Sequence, residues 1–131
     1  MYQLRENRDM NVRAFIALVG STLYDHRFSP FYINPVIAGL EKGEPIIASS
    51  DYIGCMTVNE DFACDGTAGD NFLGLMESYS RKDLSPQELS DITANVLLSG
   101  IDRDIMSGWG AMTFLMTEDG IQIKNLKTKQ V

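Results

Sequence analysis

Two pairs of apolar runs, each joined by a tight turn, bracket two helical patterns, and that order limits the chain to a small set of layered folds. Pro35 to Leu40 and Pro45 to Ser50 read as strands, with Glu41-Lys42-Gly43-Glu44 as the turn between them. Ala111 to Met116 and Ile121 to Leu126 flank Thr117-Glu118-Asp119-Gly120, where Asp119 and Gly120 both tolerate the positive φ of a two-residue hairpin loop. Between the hairpins, Phe72, Leu73, Met76 and Tyr79 recur at helical spacing over Ala68 to Tyr79. Ser85-Pro86-Gln87-Glu88 then opens a second helix. The Ser85 hydroxyl can accept from the backbone and Glu88 can reach back, while Pro86 lacks a donor that would be unpaired there anyway. Its expected buried face is Leu89, Ile92, Val96 and Leu97, and it runs through Ile101 toward Ile105. Helices and hairpins segregated in this way predict an α+β layered fold rather than a parallel doubly wound one.

Ahead of the first hairpin, Asn11 is a candidate cap for a helix carrying Val12, Phe15, Ile16, Val19 and Leu23 on one face. That helix should end near Asp25 to Arg27, where His26 and Arg27 suit the negative end of its dipole. Tyr2, Leu4 and Arg5 also look helical but have no cap before them, as in a frayed terminus or a chain that begins inside a helix. Asp51 to Asp61 reads as less regular, and Phe62 to Cys64 as a short strand ending at Gly66. The 131 residues suffice for one domain with one core, residues 1–131, and no repeat or linker divides them.

A formal charge of −7 argues against a broad basic surface for nucleic acid. Lys124, Lys127 and Lys129 read as a solvated basic tail. No apolar run approaches the length of a membrane span, and Met1 to Glu6 lacks a signal-peptide pattern. Cys55 and Cys64, with one histidine in the chain, fall short of the four ligands of a structural zinc site. No metal and no cofactor is expected, and two thiols suggest a reducing compartment, cytoplasm or nucleus.

The run Asp102-Arg103-Asp104-Ile105-Met106-Ser107-Gly108 stands where a long helix meets a strand. An Asp and a Ser three residues apart, closed by Gly108, are spaced to bond each other and a nearby backbone end. On the residues alone, Asp104 and Ser107 tie a helix end to a strand. His26 has no nucleophile elbow to serve and reads as a surface or interface residue at a helix end. Asp51 reads as a turn residue and Cys55 as a small buried thiol.

Several segments resemble proteasome beta subunits: Arg27-Phe28-Ser29-Pro30-Phe31-Tyr32, Pro35-Val36-Ile37-Ala38-Gly39-Leu40, Ser50-Asp51-Tyr52-Ile53-Gly54-Cys55, and Asp102-Arg103-Asp104 with Ser107-Gly108. The match runs through nearly the whole chain in the right order. It implies an αββα four-layer sandwich of the N-terminal nucleophile hydrolase kind, incomplete at the N-terminus, with residues 1–131 as the carboxy-terminal larger part of one beta-type domain. Met1 would fall within the family's first central helix, and no lysine here matches the catalytic one. Asp104, Ser107 and Gly108 match the residues that support a terminal threonine nucleophile in active members, whereas Thr67 is internal and has no free amine. Gly69 stands where active members carry a serine. The resemblance is closest to a non-catalytic member, so the support would be vestigial.

The same resemblance implies that Asp51 and Cys55 face a neighbouring active subunit's substrate pocket, as an acidic wall that favours basic residues. It further implies a place beside other beta and alpha subunits in a hetero-oligomeric ring, with no nucleic acid and no membrane. The chain would take part in ubiquitin-dependent degradation in cytoplasm and nucleus. The alternative is a truncated form of an active threonine endopeptidase.

Overall fold

A computed structural model describes residues 4–5, 9–59 and 61–130. Leu4 and Arg5 are helical and exposed, and Tyr2 lies outside the described residues. The elements run α1 (Val12–Asp25), β1 (Val36–Glu41), β2 (Glu44–Ser50), β3 (Met56–Asn59), α2 (Gly69–Tyr79), α3 (Pro86–Asp102), β4 (Ala111–Thr117) and β5 (Gly120–Leu126). The chain divides into two compact units, residues 1–60 and 61–131.

In the first unit, Asn11 caps α1 as expected, its Oδ1 accepting from the Ala14 amide at 2.7 Å. Beyond the helix, Arg27 donates to the Tyr24 carbonyl at 3.1 Å and lies over the Tyr24 and Phe28 rings. His26 is exposed, with Nδ1 2.9 Å from the Thr22 carbonyl. The sheet is antiparallel in the order β1-β2-β3. Lys42 (φ 53°) and Gly43 (φ 79°) form the β1–β2 turn with left-handed backbone at both central positions. Ile37 faces Ala48 across the ladder, and with Ile16 and Ile46 they form the buried core under α1. At the far end of this helix, Gly54 (φ +90°) lies so close to the Gly20 carbonyl that a Cβ there would overlap it.

Two expectations fail in this stretch. The less regular segment 51–61 holds a strand that was not expected, Met56–Asn59, which pairs with β2 and completes the sheet. Phe62 to Cys64 forms no strand. The apolar triple Phe-Ala-Cys suggested one, but Met56-Thr57-Val58-Asn59 is the run that β2 has an open edge to receive.

In the second unit, α2 and α3 pack together, and α3 also packs on β4. The Ser85–Glu88 capping box is complete. The buried face of α3 is Ala94, Val96, Gly100 and Ile101; of the expected face Val96 is buried, Ile92 and Leu97 are half-buried, and Leu89 is 43% exposed. Small residues lie inside because α2 approaches closely: the Phe72 ring fills the space a Gly100 side chain would need. The helix ends at Asp102, short of Ile105. In the last hairpin Thr117 pairs with Gly120, so Glu118 and Asp119 form the loop. Gly120 alone of the expected turn pair takes positive φ, +137°. Each unit is thus a helix layer on an antiparallel sheet, and the fold is α+β.

Candidate functional site

The run 102–110 follows from how α3 stops. A helix leaves its last carbonyls without intrahelical partners, and here the next residues turn back to supply them. The Asp104 amide bonds the Ile101 carbonyl at 3.1 Å. Its carboxylate, buried, then gathers donors from both sides. Ser107 Oγ donates to Oδ2 at 2.6 Å, Thr67 Oγ1 donates to the same oxygen at 2.5 Å, and the Met106 amide donates to Oδ1 at 3.2 Å. The Asp–Ser spacing of three therefore closes a loop within the run, as expected.

Thr67 was not foreseen as a member. It lies 37 positions away, on the Gly66-Thr67-Ala68-Gly69 turn that leads into α2, and only packing brings it to Asp104. Gly69 is the first residue of α2, and its amide donates to the Gly66 carbonyl at 3.1 Å.

These bonds decide the chemistry of Asp104. The Ser107 hydroxyl, then the Thr67 hydroxyl, and more weakly the Met106 amide and the Lys129 charge, hold its carboxyl below the usual range, against the opposing effect of burial. A carboxylate stabilised in its charged form is a weak proton acceptor.

Lys129 overturns another expectation. Its place among Lys124 and Lys127 suggests a solvated tail. Instead its ammonium donates to the Asp104 carbonyl and, at 3.4 Å, to the Asp102 carbonyl. Its own carbonyl accepts from the Trp109 amide at 2.9 Å, and Thr128 Oγ1 accepts from the Gly110 amide at 2.6 Å. Gly108 allows this approach, since a Cβ there would lie 3.0 Å from the Lys129 carbonyl oxygen. Trp109 sits at φ 62°, uncommon for a bulky residue. Ile105, Met106 and Trp109 are 93%, 76% and 75% exposed on the same loop.

Asp51 and Cys55 belong to the first unit, in the β2–β3 loop. Asp51 Oδ1 accepts from the Ile53 amide at 3.0 Å and the Cys55 amide at 2.9 Å, which folds the loop into an Asx turn. Cys55 is a free and exposed thiol, not the buried one that its residue type suggested. Cys64 is also free and half-buried, and burial, with the Asp65 charge, pushes its thiol up.

The family model described as "Proteasome subunit" matches residues 1–115. Proteasome subunit beta type-3 of Drosophila melanogaster is 40% identical over 98% of this chain and 64% of its own length. The Saccharomyces cerevisiae protein of that name is 39% identical over 99% of this chain and 64% of its own. The one from Oryza sativa subsp. japonica is 43% identical over 89% of this chain and 58% of its own. The chain therefore spans just under two thirds of the length of these curated relatives.

Proposed function

The chain belongs to the proteasome subunit family, and from that premise we propose that it is a non-catalytic, structural beta-type subunit of the proteasome core. In this reading it sits beside other beta and alpha subunits in a ring complex in cytoplasm and nucleus. It supports ubiquitin-dependent degradation that its neighbours carry out, and the Asx turn at Asp51 and Cys55 lines one neighbour's pocket.

The observation that carries the non-catalytic reading is the state of Asp104. Its two oxygens take the Thr67 and Ser107 hydroxyls and the Met106 amide. A carboxylate held ionised in this way draws protons weakly from a hydroxyl, and Thr67, internal to the chain, has no α-amine of its own to act as base. In this reading the cluster is a structural knot with no transition state to stabilise.

The test is to express the tagged chain and its Asp104→Ala variant in cells and analyse the purified material by native mass spectrometry and peptidase assay. The chain should appear in a large hetero-oligomeric particle. The variant should assemble in lower yield, since the partner hydroxyls lose their acceptor, yet keep each peptidase activity within about twofold per particle. Selective loss of one activity at normal yield would sink the non-catalytic reading, and a chain found only as a monomer would sink the ring.

A further inference from the structure

We infer that Lys129 is a positioning residue. Its ammonium acts as a tethered cation on carbonyls at and just past the end of α3, and residues 128–129 form a strap that fixes the loop bearing Asp104 and Ser107. Four contacts meet on this short segment. Lys129 Nζ reaches the Asp102 and Asp104 carbonyls, the Lys129 carbonyl takes the Trp109 amide, and Thr128 Oγ1 takes the Gly110 amide. Gly108 leaves the room that the Lys129 main chain occupies.

The physical need is plain at each point. The carbonyls at the end of a helix carry the negative pole of its dipole and lack intrahelical donors, so a cation is favoured there. The Asp104 carbonyl lies two residues past the last helical residue, where it also accepts from the Ser107 amide at 3.4 Å, and it belongs to the residue that organises the cluster. A positive charge on it fixes the Asp104 backbone, and through that backbone the direction in which the carboxylate meets Thr67, Ser107 and the Met106 amide. The strap also offsets the cost of the left-handed Trp109, whose amide would otherwise lack this partner.

The inference does not depend on the proposed function, because its readout is local order rather than assembly or peptidase activity. The test is amide exchange by mass spectrometry, with residue-level fragmentation, on the chain as purified from cells. Met106 is the reporter: its amide bonds the Asp104 carboxylate rather than a group of the strap. Lys129→Met should speed exchange at Met106 by about tenfold, the loss of roughly one hydrogen bond's worth of protection. Lys129→Arg, whose guanidinium can reach both carbonyls, should restore most of it. Lys127→Met should change nothing. Met106 exchanging at the native rate in folded Lys129→Met, or equally fast in the Met and Arg variants, would overturn the proposal.

If Lys129→Met fails to accumulate, Thr128→Val serves. It removes the hydroxyl that takes the Gly110 amide and that donates to the Lys129 carbonyl at 3.5 Å, and leaves the Lys129 ammonium in place. Faster exchange at both Gly110 and Met106 would support the strap, and faster exchange at Gly110 alone would overturn its hold on Asp104.

Discussion

At the residue scale, the two acidic groups singled out by the sequence do different work. Asp104 is a charge held by donors, and its folded carboxyl titrates below the unfolded one. Its contribution to stability is therefore complete above the unfolded carboxylate's pKa, about 4, and is lost as pH falls through the lower folded value. Protection of the Met106 amide, corrected for intrinsic exchange, should fall in that acid window in the native chain and stay flat there in Asp104→Asn. Asp51 is a loop anchor first, since Oδ1 takes two amides. Asn keeps that oxygen and removes only the charge. Asp51→Asn should thus leave the loop intact and, if the charge faces a neighbour's pocket, lower cleavage after basic residues a few-fold. A partly solvated pair contributes about 0.2–1 kcal/mol and is screened by salt. Peptidase assays with basic, acidic and hydrophobic substrates on purified particles would decide it. Equal losses in all three would point to assembly, and no loss to a turn residue alone.

At the scale of elements, α3 was legible at its start and only in part along its face, where Val96 is buried as expected but Ala94 and Gly100 were not expected inside. Ser85, Pro86 and Glu88 act on backbone groups one turn away, so spacing alone predicts the capping box. Which side is buried depends on what lies opposite, and there the Phe72 ring meets Gly100. Leu89 stays 43% exposed although its residue type suggests a core position. Gly100→Ala should destabilise the α2–α3 pair by about 1–3 kcal/mol, as expected when a close-packed contact is overfilled, despite alanine's better helix propensity. Amide exchange across Pro86–Asp102 checks this. Unchanged or slower exchange would mean that Phe72 moves aside freely. The last hairpin shows the same division. Its existence follows from Asp119-Gly120, but the register, with Thr117 opposite Gly120, moved the loop back by one residue.

At the scale of the molecule, the surface is too large for the mass. The chain exposes 9723 Å², where a folded monomer of 14.6 kDa exposes about 6,900 Å². Two independent units of half that mass would expose only about 8,300 Å², so the excess does not depend on how the units are arranged. Part of it is apolar and ordered. Met112, Phe114 and Met116 lie on one face of β4, opposite Asn125, Ile123 and Ile121 of β5, and all five apolar members are at least 40% exposed. A two-stranded hairpin with an uncovered apolar face is marginal in water. The isolated chain should therefore show weak amide protection across Val36 to Ala48 and Ala111 to Leu126, bind a hydrophobic dye, and gain protection on incorporation into a particle. Strong protection at both hairpins in a monomer would show it to be self-sufficient.

The sequence by itself determined the features whose causes lie within a few residues: the Asn11 cap, the Ser85 capping box, the turn at Glu41 to Glu44 and the Asp104–Ser107 bond. It also carried the family, because the matching runs are contiguous. Tertiary structure decided whatever joins distant positions. It brought Thr67 to Asp104, set Lys129 on the end of α3, turned Gly100 toward Phe72 and paired Met56–Asn59 with β2. Local spacing carries no record of such partners. A lysine near the end of a chain looks solvated until packing places two carbonyls beside its ammonium.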